Sequence, residues 1–201
     1  MNRRTFLGLG GALVALSLID QPPMALASGQ VVRLPAPDFQ GGMSLMECLQ
    51  KRHTDRNLGS EDFTLSELSN ILWAAYGVNR PDGRHVIPTA RNQQKVMLFV
   101  VLGDGVWKYL AEKNSIEKML DGDRRKNFDG SSLILLYAAP GDDIFGGMHV
   151  GSMYQNVGLY CASKGYPNCV KYTHHDALDR VLPLPSGWKV LITQSVGSKQ
   201  K

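Results

Sequence analysis

Two uninterrupted apolar runs limit what this chain can become. One is Val96-Met97-Leu98-Phe99-Val100-Val101-Leu102, and the other, Leu133-Ile134-Leu135-Leu136-Tyr137, lies within residues 131–139. Neither alternates with polar residues, so each reads as a strand buried on both faces. Gly103-Asp104-Gly105 turns the chain, and Val106-Trp107-Lys108-Tyr109 returns as a hairpin partner. Residues 182–188, Leu-Pro-Leu-Pro-Ser-Gly-Trp, form a tight turn into a closing strand over 189–197.

Helical patterns surround these strands. Met43, Leu45, Met46 and Leu49 recur at roughly helical spacing and predict a first helix from about 44 to 51. Thr64-Leu65-Ser66-Glu67 is a capping box, with Thr64 as N-cap and Glu67 at the third helical position. It opens a helix through Tyr76 that carries Leu65, Leu68, Ile71, Leu72 and Ala75 on one face, with Gly77 placed to stop it. Residues 145–164 predict the longest helix, stopped by Gly165. Residues 114–121 predict a short helix ahead of a charged loop, and 176–182 a last one with Leu178 and Val181 inward. Residues 28–43, punctuated by Leu34-Pro35-Ala36-Pro37, read as an extended arm and 44–201 as one domain.

The first 27 residues read as an export signal. Arg3-Arg4 followed by Phe6-Leu7, a short apolar run over 7–19 and Ala25-Leu26-Ala27 look like a twin-arginine leader cleaved after Ala27. The run is shorter than the roughly 20 residues of a membrane span, although an uncleaved anchor is the alternative reading. The expected location is therefore outside the cytoplasm, in a periplasm, with no membrane attachment after cleavage. The net charge of +4 comes with no basic stripe interleaved with aromatics, so no nucleic-acid partner is expected. The cysteines are Cys48, Cys161 and Cys169. That odd number excludes a complete disulfide framework, and Cys161 and Cys169 are either a pair or buried free thiols. Asp121-Gly122-Asp123 lacks the further ligands of a calcium loop, His174-His175 reads as a surface pair, and no metal site is expected.

Lys51-Arg52-His53-Thr54-Asp55-Arg56 is the densest candidate for chemistry. Arginines supply bidentate forks and the threonine a neutral donor, a combination suited to a phosphate monoester. A solvated helix end whose cations complement the helix dipole has the same composition. A second candidate is Pro88-Thr89-Ala90-Arg91-Asn92-Gln93-Gln94, whose amide side chains both donate and accept. On its own it could be an ordinary polar loop.

Taken in order, these segments resemble the nitroreductase family. Arg52, His53, Thr54 and Arg56 match its opening Arg-Arg/His-Ser-x-Arg/Lys pattern. Leu65-Ser66-Glu67-Leu68 through Trp73-Ala74-Ala75-Tyr76-Gly77-Val78-Asn79-Arg80 is similar to its thiazole and oxazoline dehydrogenase-like branch, as is the Asp104-Gly105-Val106-Trp107 hairpin. Pro88, Thr89, Asn92 and Gln94 match Pro-Ser-x-x-Asn-x-Gln, and Gly151, Gln155, Asn156, Leu159 and Ala162 lie on a helix like the family's core helix.

The resemblance implies an α+β fold, a mixed sheet flanked by helices, forming an intertwined homodimer with FMN at its interface. Arg52, His53, Thr54 and Arg56 would hold the phosphate and ribityl chain. Pro88, Thr89, Asn92 and Gln94 would line the flavin. The implied activity is an FMN-dependent oxidoreductase working by ping-pong hydride transfer with a small molecule, nitroaromatic or quinone-like. NAD(P)H or another donor would feed it, and no protein residue would act as nucleophile or base. The alternative is an exported flavin-binding or partner-binding dimer without catalysis. Lys95, where the family has Pro, and the solitary Gly165, where it has a Gly-rich segment, give that alternative its weight.

Overall fold

A computed structural model of the chain describes residues 29–172 and 179–199. The leader, His174-His175 and residues 176–178 of the expected last helix lie outside the described residues. Seven described strands form one sheet in the order β1-β4-β3-β2-β5-β7-β6. They are β1 (Val31–Arg33), β2 (Met97–Leu102), β3 (Gly105–Leu110), β4 (Ser115–Asp121), β5 (Leu133–Pro140), β6 (Asn168–Lys171) and β7 (Trp188–Val196). Three α-helices lie wholly within the described residues: α1 (Leu45–Lys51), α2 (Leu65–Tyr76) and α3 (Ile144–Lys164). The class is α+β as expected, but every pairing of these strands is antiparallel where a mixed sheet was anticipated.

Both apolar runs are central strands. In β5, Leu133, Leu135, Tyr137 and Ala139 face one core, and Ile134, Leu136 and Ala138 face the other. The first core is closed by α2, through Leu68, Ile71, Leu72 and Ala75, and by α3, through Val150, Met153, Val157 and Cys161. Leu182 and Phe128 pack against the second. Among the described residues α2 and α3 therefore share one face of the sheet.

Both N-terminal helices open with capping boxes. The Thr64 hydroxyl accepts from the Glu67 amide at 3.3 Å, and the Thr64 amide donates to the Glu67 carboxylate at 2.9 Å. Ser44 and Glu47 repeat the arrangement on α1. Gly77 ends α2, as expected, with an extended backbone (φ −66°). It is needed for space, because a Cβ there would lie 2.1 Å from the Trp73 ring.

Residues 114–121 are not helical. Ser115–Asp121 is strand β4, paired with β3 and β1. Burial alternates with a period of two at Ile116, Lys118 and Leu120, but a bulge opposite Val106 and Trp107 shifts the register, so Ile116 faces the first core and Leu120 the second. Lys118 disguises that period. Its ammonium pairs with Asp104 at 3.1 Å and Asp121 at 3.4 Å while lying over the Trp107 ring. The N-terminal arm is extended, and it contributes the edge strand β1 and a buried Leu34.

Candidate functional site

The basic segment leaves α1 at Arg52, whose amide donates to the Cys48 carbonyl at 2.8 Å. The Arg52 stem crosses α3 at Gly158, 3.5 Å from where a Cβ would sit. His53 Nδ1 meets the Lys51 carbonyl at 2.8 Å, so it is a donor. Arg52, His53, Thr54 and Arg56 are exposed, and among the described residues the guanidinium groups of Arg52 and Arg56 have no hydrogen bond or ion pair.

A buried polar network supports this segment. The Tyr137 hydroxyl donates to Gln194 Oε1 at 2.6 Å, and Gln194 Nε2 donates to Asn168 Oδ1 at 3.1 Å. Asn168 presents its carbonyl to the Asp55 amide at 2.9 Å. Burial keeps the Tyr137 hydroxyl protonated, with its pKa well above the ordinary value, so it remains a donor. Downstream, Gly59 and Gly197 approach so closely that a Cβ on Gly197 would lie 2.5 Å from the Gly59 amide nitrogen. A cleft of about 330 Å³ lies beside the segment, lined by Lys51, His53, Asp55, Gly165, Tyr166 and Asn168 among others. The Lys199 ammonium sits 5.8 Å from the Tyr166 ring, at the wall of that cleft.

The second segment is built under strain. Arg91, Asn92 and Gln94 have φ of 52°, 53° and 52°, in the left-handed region that side chains other than glycine seldom occupy. The restraints come from several directions. The Ala90 amide donates to His149 Nε2 on α3 at 2.8 Å. The Tyr76 hydroxyl donates to the Gln94 carbonyl at 3.3 Å. The Gln94 amide donates to the Gly83 carbonyl at 3.2 Å and to Asn92 Oδ1 at 3.3 Å. Pro88, Thr89 and Asn92 line a cleft of about 660 Å³ together with Arg80, Arg84, His85 and Arg91. Through its bonds to Gly83 and Asn92 the Gln94 side chain folds back onto its own loop, and Gln94 is not among the residues that line this cleft. His85 stacks on Tyr76 at 3.9 Å, with Nδ1 on the Tyr76 carbonyl.

The two segments lie on different sides of α3. His149, which holds the second, and Gly158, which meets Arg52, are nine residues apart on that helix. At about 100° per residue that is half a turn out of phase, and the separation along the axis is about 13 Å. The two clefts share no lining residue.

Two apolar surfaces are left uncovered. In α1 only Cys48 is buried, and Leu45 and Met46 are 65% and 73% exposed. At the start of α3, Ile144, Phe145 and Met148 are exposed as well. All three cysteines are buried and free. Among the described residues no cluster of acidic, histidine or cysteine side chains is placed to hold a metal, and no helix is long and apolar enough to cross a membrane.

Sequence reasoning missed His149, Tyr137, Gln194 and Asn168. Tyr137 and Gln194 carried a signal, as polar groups within apolar strands that must find partners. Nothing in the local sequence of α3 joins His149 to Ala90.

Comparison with known proteins agrees with this architecture. A curated Methanocaldococcus jannaschii protein named as a nitroreductase is 35% identical over 99 residues, 46% of this chain. The match spans half of that relative's length. A Ralstonia eutropha crystal structure, also named as a nitroreductase, superposes with a TM-score of 0.79 at 26% identity, covering 90% of this chain and 95% of that one. A chain of an E. coli microcin synthetase complex shares the fold, with a TM-score of 0.63 at 15% identity over 98% of this chain and 85% of its own. Residues 49–198 match the nitroreductase family as a whole, and the chain belongs to that family.

Proposed function

We propose that this protein is an FMN-dependent oxidoreductase acting on a small organic molecule. The observation that carries the reading is the pair of unspent guanidinium groups, Arg52 and Arg56, flanking the Thr54 hydroxyl on a rigidly buried base. A cationic surface of this kind suits a phosphate monoester, which would satisfy both forks with charge-assisted hydrogen bonds. His53 and Thr54 would hold the adjoining hydroxylated chain. When bound, FMN supplies hydride transfer between a donor such as NAD(P)H and a nitroaromatic or quinone-like acceptor, one following the other. Pro88, Thr89 and Asn92 would line the ring and exclude water from it, and Gln94 would brace their backbone.

The site is completed by a second copy. The phosphate-binding and ring-lining segments lie on opposite sides of α3, so one subunit carries two half-sites. The uncovered apolar surfaces of α1 and the start of α3 are the surfaces a homodimer would bury. Cofactor and dimer would then stabilise each other by mass action. Export in the folded, loaded state by the twin-arginine leader belongs to the same proposal.

The test is the spectrum of the purified chain from residue 28 onward, with any released cofactor identified and the mass measured by light scattering. The expected result is a yellow dimer that releases FMN and is bleached by a reduced donor. Bound FMN that no donor bleaches would favour the non-catalytic binding dimer, and a colourless protein that takes up no added FMN would overturn the flavin reading.

A further inference from the structure

His149 is buried at 6% exposure, and the one hydrogen bond its ring makes among the described residues reaches out of its own helix. The bond fixes the tautomer. The Ala90 amide can only donate, so Nε2 carries the lone pair and the neutral ring keeps its proton on Nδ1, which has no partner among the described residues. The structure thus retains a buried unpaired N–H in order to present an acceptor to Ala90, and that acceptor begins a turn in which three of the next four residues are left-handed. Such strain persists only where its surroundings determine it.

From this we infer that His149 is a positioning residue, holding residues 89–94 in the conformation that presents Thr89 and Asn92 to the cofactor. It rests on the flavin reading above and adds a residue and a pH dependence to it. Protonation at Nε2 would set an N–H against the Ala90 N–H and break the bond. Burial disfavours that charge and Asp143, at the helix N-cap, favours it; the balance lies below the ordinary histidine pKa. The facing segment contributes Arg91 and Lys95, both exposed; α2, packed along α3, contributes Tyr76 and, at its far end on Tyr166, Glu67; and β5, which packs on the first turn of α3 at Gly146, has no charged residue. The turn is therefore set at neutral pH and released as the pH falls.

The experiment is an FMN titration followed by flavin fluorescence from pH 8 to 5, with exchange of the Ala90 amide measured alongside. It uses the dimeric protein and two variants, His149→Gln and His149→Phe. Wild type is expected to bind FMN about tenfold more weakly at the acid end, the loss of roughly one hydrogen bond, with the Ala90 amide deprotected in step. His149→Gln, whose amide oxygen accepts but does not titrate, should keep affinity and flatten the profile. His149→Phe should be weak at every pH. Equal affinity of wild type and His149→Phe, or a pH profile unchanged in His149→Gln, overturns the inference while leaving the flavin reading intact; should His149→Phe fail to fold, the wild-type and His149→Gln profiles decide. No FMN binding by wild type at any pH overturns both.

Discussion

On the proposed flavin reading, residues 51–56 and 88–94 solve the same problem, presenting polar groups to a ligand, by opposite means. The basic segment has no left-handed residue, and buried side chains hold it from below: Tyr137, Gln194 and Asn168 in series, with the Gly59–Gly197 contact downstream. The second segment stores strain at Arg91, Asn92 and Gln94 and is held from the side by His149 and Tyr76. Charged groups that must meet a phosphate gain from a fixed platform. A backbone that must follow a flat ring can instead be bent into place and pinned. The first arrangement resists change of condition, and the second depends on a titratable acceptor.

The strongest way to break the comparison is to remove the platform. Gln194→Leu keeps the volume but strands the Tyr137 hydroxyl and Asn168 Oδ1 in the core. A cost of about 2–4 kcal/mol in unfolding free energy is expected, measured by urea denaturation. Weaker FMN binding should accompany it, since the Asp55 amide hangs on Asn168. Arg52→Met sharpens the same point. It keeps the apolar stem against α3 and removes the guanidinium, so stability should hold while FMN binds about 10–100-fold more weakly by titration.

The sequence disclosed these regions unequally. The Arg-His-Thr-x-Arg cluster was legible because its polar groups crowd into five residues, β2 and β5 because they are uninterrupted apolar runs, and α2 because its capping box opens a periodic apolar face. Strand β4 was not, because Lys118 occupies a buried position through two ion pairs and broke the visible alternation. The strut role of Gln94 was hidden too. Nothing in an Arg-Asn-Gln-Gln string announces a left-handed backbone, and a glutamine that could face a flavin can equally brace its own loop. Nor did the order of motifs show that the two segments sit on opposite sides of α3, because that depends on which helix residues each one touches.

Acid should separate the two regions. Burial alone would raise the Asp129 carboxyl, but hydrogen bonds from Lys171, Ser195 and Ser131 hold it below the ordinary 3.8, and through Lys171 it ties down the end of β6, the strand that carries Asn168. Its stabilisation is complete above pH 3.8 and is lost as the pH falls through the lower folded value. His149 also has a lowered value, from 6.5, but as a base. The unfolded chain binds its proton first, so stability declines as soon as the pH drops below 6.5. In hydrogen exchange corrected for intrinsic rate, the Ala90 amide should lose protection between pH 6.5 and 4 while the Asp55 amide keeps it. Simultaneous loss of both would show that the two segments open as one unit.

The smallest effect tests the strain itself. Arg91 is exposed and left-handed, and asparagine tolerates that conformation better than arginine does. Arg91→Asn should therefore stabilise the protein by about 0.5–1 kcal/mol, raising Tm by about 1–4 °C in a thermal melt. Arg56→Asn, the parallel change in a segment with no left-handed residue, should bring no such gain. A gain confined to Arg91 would show that the turn over 89–94 is held against a local cost that the 51–56 segment does not bear. Equal shifts at both positions would mean that removing a surface cation, and not relieving the backbone, was what the melt had measured.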